Sequence, residues 1–520
     1  MSLYRNFLSV GGLTLISRLA GFIRDALMAA VLGTGPAADA FFAAFRFPNL
    51  FRRLFAEGAF NTAFVPMFSG ALEQHGREAS LQLASRIMAW LVTGLVLVTV
   101  VAEIFMPQFM VAFVPGFVDE PEKFELTVLL TRIMFPYLAC MSLMAAYGAI
   151  LNSLGRFFAA AFAPVMLNLV NIAALIPLAS FWVQDPANAA IWVGMATMAG
   201  GLAQLALVWG AIKRADFVPA LRLPRFDPEV RRFWVLAIPA ILTGGITQIN
   251  IFIGTIIASG ADNAISILNY ADRLYQLPLG IIGIAIGTVL LPELSRHLKG
   301  QRDAEARASQ EQSLLIAMLL SLPAATALIA MAEPIVRVLF ERGAFDALAT
   351  RQTAQALIAF ATGLPAYVLI RVLQPGYFAR EDTLTPTAFA GVSVVVNIAL
   401  SLLLFPAYLH VGIAIATSVA AWINAALLAL FLKRRGHFGL SGTVWFKHGL
   451  IVLVSLVMGV VLYVLAQRGA AHLASGTPLW EKAGVLGALV GFGMVLYFTL
   501  IHFSGAQPLG LLLRRLRRRG

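Results

Sequence analysis

The chain has 520 residues, 60% of them hydrophobic and only 12% charged, against roughly 45–50% apolar and 25% charged in soluble domains. That balance excludes an ordinary soluble protein and indicates a polytopic membrane protein. The formal net charge of +12 then marks cytoplasmic loops before it marks a nucleic-acid partner, and none is expected. The single cysteine, Cys140, sits in an apolar stretch, so it reads as packing rather than as half of a disulfide or part of a metal site.

The N-terminal apolar run is broken by Arg18 and Arg24 and continues too long for a cleavable signal peptide, so it is read as the first span. Crossing about 30 Å of hydrocarbon takes roughly 17–25 residues. Candidate spans lie near 7–32, 37–67, 81–107, 124–152, 157–181, 187–212 and 233–259. The series continues near 263–295, 313–333, 350–378, 384–406, 410–432, 444–467 and 481–503. The expected fold is therefore all-α and polytopic, with about 14 transmembrane helices. With the N-terminus inside, the cytoplasmic connections and C-terminal tail hold about 23 Lys and Arg against roughly five outside. Both termini are thus expected in the cytoplasm. The acidic loop with Asp119, Glu120, Glu122 and Glu125 falls outside.

The chain repeats itself. VNIA at 170–173 returns at 396–399, and Pro66 and Pro292 share the same offset of 226. Ala196-Thr197 before Lys213-Arg214 resembles Ala416-Thr417 before Lys433-Arg434. Six helices per half is an even number, so the halves form a parallel repeat about an axis along the membrane normal, as in transporters with a central site. The expected organisation is an N-terminal lobe over 1–215, a C-terminal lobe over 216–436, and an appended helix pair with a basic tail over 437–520.

Enzyme signatures are missing. The seven histidines fall in loops or near helix ends without metal-ligand spacing inside a span, and there is no P-loop, G-x-S-x-G or HExxH. No catalytic residue, metal or cofactor is assigned. Charge inside the spans is what remains. Arg18 lies about 11 residues into the first span, roughly 17 Å deep, and Arg273 is about 15 Å into the eighth. Arg24 lies nearer the outer end, and Arg52 lies about 22 Å along the second span, beyond Pro48. Charges at such depth cost about 2.5–3.5 kcal/mol on insertion scales unless they have water, counter-charges or a ligand. Two readings stand. Arg53 with Glu57, Arg24 with Asp25 and Arg273 with Asp272 neutralise one another, although only the 53–57 pair has favourable helical spacing. Alternatively, the arginines line a wet cavity for an anionic cargo, since a guanidinium stays charged and makes forked hydrogen bonds to phosphate.

The blocks SRLAGFIRDALMAAVLGTG, DAFFAAFRFPNLFRRLFAEGAFNTAFVP and YADRLYQLPLGIIGIAIGTVLLPELSR resemble the MurJ/MviN family of lipid II flippases, in the multidrug/oligosaccharidyl-lipid/polysaccharide exporter superfamily. The resemblance covers essentially the whole chain. It implies a bacterial inner-membrane transporter that moves undecaprenyl-pyrophosphate-linked peptidoglycan precursor from the cytoplasmic to the periplasmic leaflet by alternating access. It implies cargo contacts at Arg18, Arg24, Arg52 and Arg273 and matches acidic family positions at Asp39 and Glu57; these two, with Asp25, Arg53 and Asp272 from the ion-pair reading, are the expected supporting charges. It also implies a lipid-tail groove near the last two helices, and lipid II, membrane lipids and other wall-synthesis proteins as partners. The seventh span, 233–259, holds no carboxylate, which argues against sodium coupling and leaves a potential- or proton-linked cycle. An exporter of another lipid-linked sugar or of drugs, or a membrane scaffold for wall synthesis, is the competing expectation.

Overall fold

A computed structural model describes residues 3–53, 61–179, 185–220 and 222–505. Glu57 and the basic tail at 514–519 lie outside these residues. Every regular element among them is helical, and they belong to two compact units, Met1–Ser266 with Arg342–Phe345 and Ile267–Glu341 with Asp346–Gly520.

The first unit holds α1 (Leu3–Leu32), α2 (Pro36–Arg52), α3 (Asn61–Ile104), the short α4 (Met106–Phe113), α5 (Pro121–Met134), α6 (Tyr137–Ser153), α7 (Phe158–Pro177), α8 (Pro186–Arg214) and α9 (Pro228–Ser259). α10 (Ala264–Lys299) begins there and runs mostly in the second unit. The second unit adds α11 (Asp303–Ala330), the short α12 (Ala332–Phe340), α13 (Ala347–Phe378), α14 (Leu384–Arg434), α15 (Gly442–Arg468) and α16 (Leu479–Ser504).

Local chemistry sets several of these ends. Asp185 and Asp227 each precede a proline and accept from the backbone N–H groups of the first turn, which start α8 and α9. Asp346 caps α13 by accepting from the Ala349 N–H at 2.7 Å. α3 and α14 are each two helices joined at a break, at Gly76 (φ 78°) and Leu409 (φ 47°). Both breaks fall in the connections expected at 68–80 and 407–409. The span expected at 124–152 is α5 followed by α6, interrupted at Phe135 and Pro136, where proline has no N–H to continue the ladder.

Nine helices among the described residues are long and apolar enough to cross a membrane by length and composition. α1, α2 and α10 are not among these nine. They carry Arg18, Arg24 and Asp25, then Asp39, Arg46 and Arg52, and then Asp272, Arg273 and Glu293.

In the first unit, Phe64, Phe68, Ile87, Ile150 and Ile212 form a core between α3, α6 and α8. A second aromatic cluster gathers Phe51, Phe109, Phe113 and Phe135 around Phe47, with ring centroids 5.3–6.0 Å away. In the second unit the last two helices are integral to the packing. Met458, Leu462, Tyr497 and Ile501 share a core with Leu315 and Leu319 of α11, and the Tyr497 hydroxyl donates to the Leu319 carbonyl at 2.8 Å.

The two VNIA motifs do the same work. Thr197 donates its hydroxyl to Asn171 Oδ1 at 3.0 Å between α7 and α8, and Thr417 donates to Asn397 Oδ1 at 3.3 Å between the halves of α14. An asparagine facing a neighbouring helix in an apolar layer needs such a donor, so each repeated motif acts as an interhelical fastener.

Candidate functional site

Arg18, Arg24 and Asp25 lie on α1 and Asp39, Arg52 and Arg53 on α2, all in the first unit, while Asp272 and Arg273 lie on α10 in the second. One face of α1 is seated on α7. Asn168 Nδ2 donates to the Ser17 carbonyl at 3.0 Å, and the Cα of Gly21 faces the same amide. Arg18, one position round from Ser17, is left exposed, whereas Arg24 is half-buried and Asp25 buried. A guanidinium exposed along such a helix requires water, head groups or a ligand rather than hydrocarbon.

Arg24 donates from Nε and Nη2 to Asp25 Oδ1 at 3.0 and 2.7 Å. Arg24 and Asp25 thus pair as the neutralisation reading has it, although adjacent residues lack the favourable helical spacing. The long arginine stem folds round the helix to the short carboxylate. Arg52 is half-buried, and its Nε donates to Asn49 Oδ1 at 3.0 Å while Asn49 Nδ2 donates to the Phe45 carbonyl at 2.8 Å. The Asn49 amide therefore orients Arg52. Arg53 is exposed, and its expected pairing with Glu57 lies outside the described residues. On α10, Arg273 is half-buried and Asp272 accepts a hydrogen bond from Gln276 Nε2 one turn on. Tyr275 of the same helix stacks on Phe360 of α13 with centroids 5.2 Å apart, which fixes this turn against its neighbour.

Asp39 is the most enclosed of the expected residues, fully buried in the first turn of α2. Its Oδ1 accepts from the Ser266 N–H at 2.8 Å and its Oδ2 lies 3.6 Å from Lys123 Nζ. Lys123 is itself buried, 3.1 Å from Glu120 Oε1 and 4.1 Å above the Phe117 ring. Asp39 thus joins α2, the start of α5 and the first turn of α10.

Three cationic residues were missed from the sequence. Lys123 was hidden by four acidic neighbours in the 119–125 stretch, although a lone cation in such a loop is itself a pairing signal. Arg46, half-buried on α2, donates from Nη1 to the Thr255 hydroxyl of α9 at 3.4 Å, and the charge-depth rule used for Arg52 would have found it. Arg371 of α13 lies against Gly283, where a Cβ would stand 2.5 Å from Arg371 Cδ.

Long apolar helices in two units, with guanidinium groups exposed or half-buried in the helices that carry charge, define a polytopic membrane transporter. At 13% identity and TM-score 0.68, the fold matches an inward-facing multidrug resistance MATE family transporter of the MOP superfamily over 82% of this chain and 97% of that one. A closer match is to "Lipid II flippase MurJ, inward closed conformation", with TM-score 0.78 and 25% identity over 95% of this chain and 98% of that chain. The family profile described as Lipid II flippase MurJ matches residues 28–483. The probable lipid II flippase MurJ of Rhizobium tropici is 48% identical over 100% of this chain and 97% of the relative, and that of Rhizobium meliloti is 49% identical with the same coverage. The lipid II flippase MurJ of Burkholderia cenocepacia is 36% identical over 97% of this chain and 98% of its own length. The chain belongs to the MurJ lipid II flippase family.

Proposed function

We propose that the protein is a lipid II flippase that carries the undecaprenyl-pyrophosphate-linked precursor of peptidoglycan from the cytoplasmic to the periplasmic leaflet of the bacterial inner membrane. Full-length kinship at up to 49% identity to relatives of that name carries this reading. Arg18, Arg24, Arg52 and Arg273 are the cargo contacts in it, replacing water around the pyrophosphate. Asp25, Asp39, Arg53, Glu57 and Asp272 set their charge and orientation. The exposure of Arg18 and the half-burial of Arg24, Arg52 and Arg273 support it, because a guanidinium that another part of the protein fully covered could not meet a ligand.

The step is transport without bond making or breaking, so no general acid, nucleophile or cofactor is assigned. The two repeat-related lobes rock about the bound head group while the polyprenyl tail stays in lipid, and both termini face the cytoplasm. Membrane potential or a proton supplies direction, since α9 has no carboxylate after its first turn to hold a sodium ion. Lipid II and membrane lipids are the partners, together with proteins of wall synthesis that consume the cargo. A drug exporter of the same fold is the second reading, and the arginines argue against it because they suit an anionic cargo.

The test is complementation in cells depleted of their own flippase. Arg18→Ala, Arg24→Ala, Arg52→Ala and Arg273→Ala are each expected to abolish growth and translocation of a mass-tagged precursor at normal expression. Normal translocation by the quadruple variant would overturn the assignment of the site, and failure of the wild-type chain to complement would overturn the cargo.

A further inference from the structure

A cavity of about 480 Å³ lies in the second unit where α11 ends, α12 begins, α13 begins and α15 ends. Its volume falls in the range of roughly 300–1,000 Å³ used by small-molecule sites. The walls change character along their length. On α13 the lining face reads Arg351, Gln355, Ile358, and on α15 it reads Gln467 near the end and Tyr463 a turn further in. Spacings of three and four keep these residues on one face, so both walls pass from apolar to hydrogen-bonding toward the helix ends. Ile358 is 39% and Tyr463 53% exposed, leaving the apolar part uncovered. That gradient matches an amphiphile with its head at the helix ends and its chain along the spans.

The charges narrow the head group. Arg337 donates from Nε to Glu341 Oε2 at 3.0 Å and from Nη2 to Glu333 Oε1, while the Leu473 carbonyl accepts from its Nη1 at 3.4 Å. Glu341 is largely enclosed and also accepts from the Ser475 hydroxyl at 2.6 Å, so it neutralises Arg337 within the protein. Glu333, with 43% of its side chain exposed, is then a surplus carboxylate facing the cavity. Arg351 is exposed and has no ion pair among the described residues, so it is a surplus cation in the same cavity.

We propose that this cavity binds a zwitterionic aminophospholipid. Arg351 and the Gln355 and Gln467 amides take the phosphate, Glu333 takes the primary ammonium, and one acyl chain descends past Ile358 and Tyr463. A glycerol head would offer Glu333 only neutral hydroxyl donors and leave its charge uncompensated, and a quaternary ammonium has no N–H to donate to it. The residues are separate from the proposed cargo arginines, so the site stands or falls independently of them.

Native mass spectrometry of the full chain in detergent, with phosphatidylethanolamine, phosphatidylcholine, phosphatidylglycerol or inorganic phosphate added, tests this. Phosphatidylethanolamine is expected to be retained best, by about tenfold, the weight of one charge-assisted hydrogen bond. Arg351→Gln is expected to lower its retention about tenfold, and Glu333→Gln to shift preference to phosphatidylglycerol. Ile358→Trp, which fills the chain path without touching the charges, is expected to abolish retention and keeps the test decisive should Glu333→Gln unfold the Arg337 clamp. Photoreactive phosphatidylethanolamine is expected to label residues 351–358 or 463–470. Equal retention of the three lipids, displacement by inorganic phosphate, or retention unchanged in Arg351→Gln and Ile358→Trp would overturn the proposal and leave Arg351 as a solvated helix-end charge.

Discussion

Asp39 and Lys123 show how a charge can be stored in an apolar fold. Each is buried, and each has a second partner: the Ser266 N–H for Asp39 and Glu120 with the Phe117 ring for Lys123. Removing one member of a buried pair typically costs about 3–5 kcal/mol, because the other charge stays desolvated. Asp39→Ala is expected near the low end, about 3 kcal/mol, since Glu120 still serves Lys123. Lys123→Met in the same chain should restore part of the loss. Thermal unfolding of the single and double variants in detergent measures this, and strictly additive losses would show that the two groups do not interact. Asp39 and Arg52 were legible as charges in a span-like stretch. Their separate fates, one sealed and one half-open, were not, because burial depends on which face of α2 its neighbours cover.

At the scale of elements, two short helices, α4 and α12, are each followed by a glycine pressed against a helix end in the first unit. A Cβ at Gly116 would stand 2.2 Å from the Ser259 carbonyl oxygen, and the Gly116 N–H donates to the Ser259 hydroxyl at 3.1 Å. At Gly343, with φ 56°, a Cβ would stand 2.3 Å from the Ala30 carbonyl oxygen, which accepts from the Ala344 N–H at 2.8 Å. Both neighbours are backbone atoms and cannot rotate away. Gly116→Ala is expected to cost about 1–3 kcal/mol by overpacking, whereas Gly94→Ala, in open space on α3, should be neutral or slightly stabilising. Melting temperatures of the two variants decide it, and equal shifts would contradict the close approach. No periodicity in the sequence marks Gly116 or Gly343, since the demand comes from a helix far away in the chain. The helices themselves were readable, because apolar length and the breaks near Gly76 and Leu409 follow from composition and turn chemistry.

For the whole molecule, the topology proposed above places the ends of α11 and α15 outside and the α14–α15 connection inside. Cys140 is buried, and replacing it by serine gives a background free of native thiols. In that background a membrane-impermeant maleimide applied to intact spheroplasts should label Ser475→Cys and leave Gly439→Cys unlabelled until the membrane is permeabilised. The reverse pattern would invert the topology and the direction of transport with it. Composition, span length and charge bias determined the membrane class, the helical fold and the arginine-bearing helices, because hydrocarbon penalises every unsatisfied polar group and so makes these features visible residue by residue. Only the tertiary structure decided that Asp39 is sealed against Ser266 and Lys123, that Arg46 reaches the Thr255 hydroxyl, and that Arg351 and Glu333 share a cavity. Those outcomes depend on which residues distant in the chain come within about 3 Å of one another, the reach of a hydrogen bond, and no local pattern in the sequence carries that information.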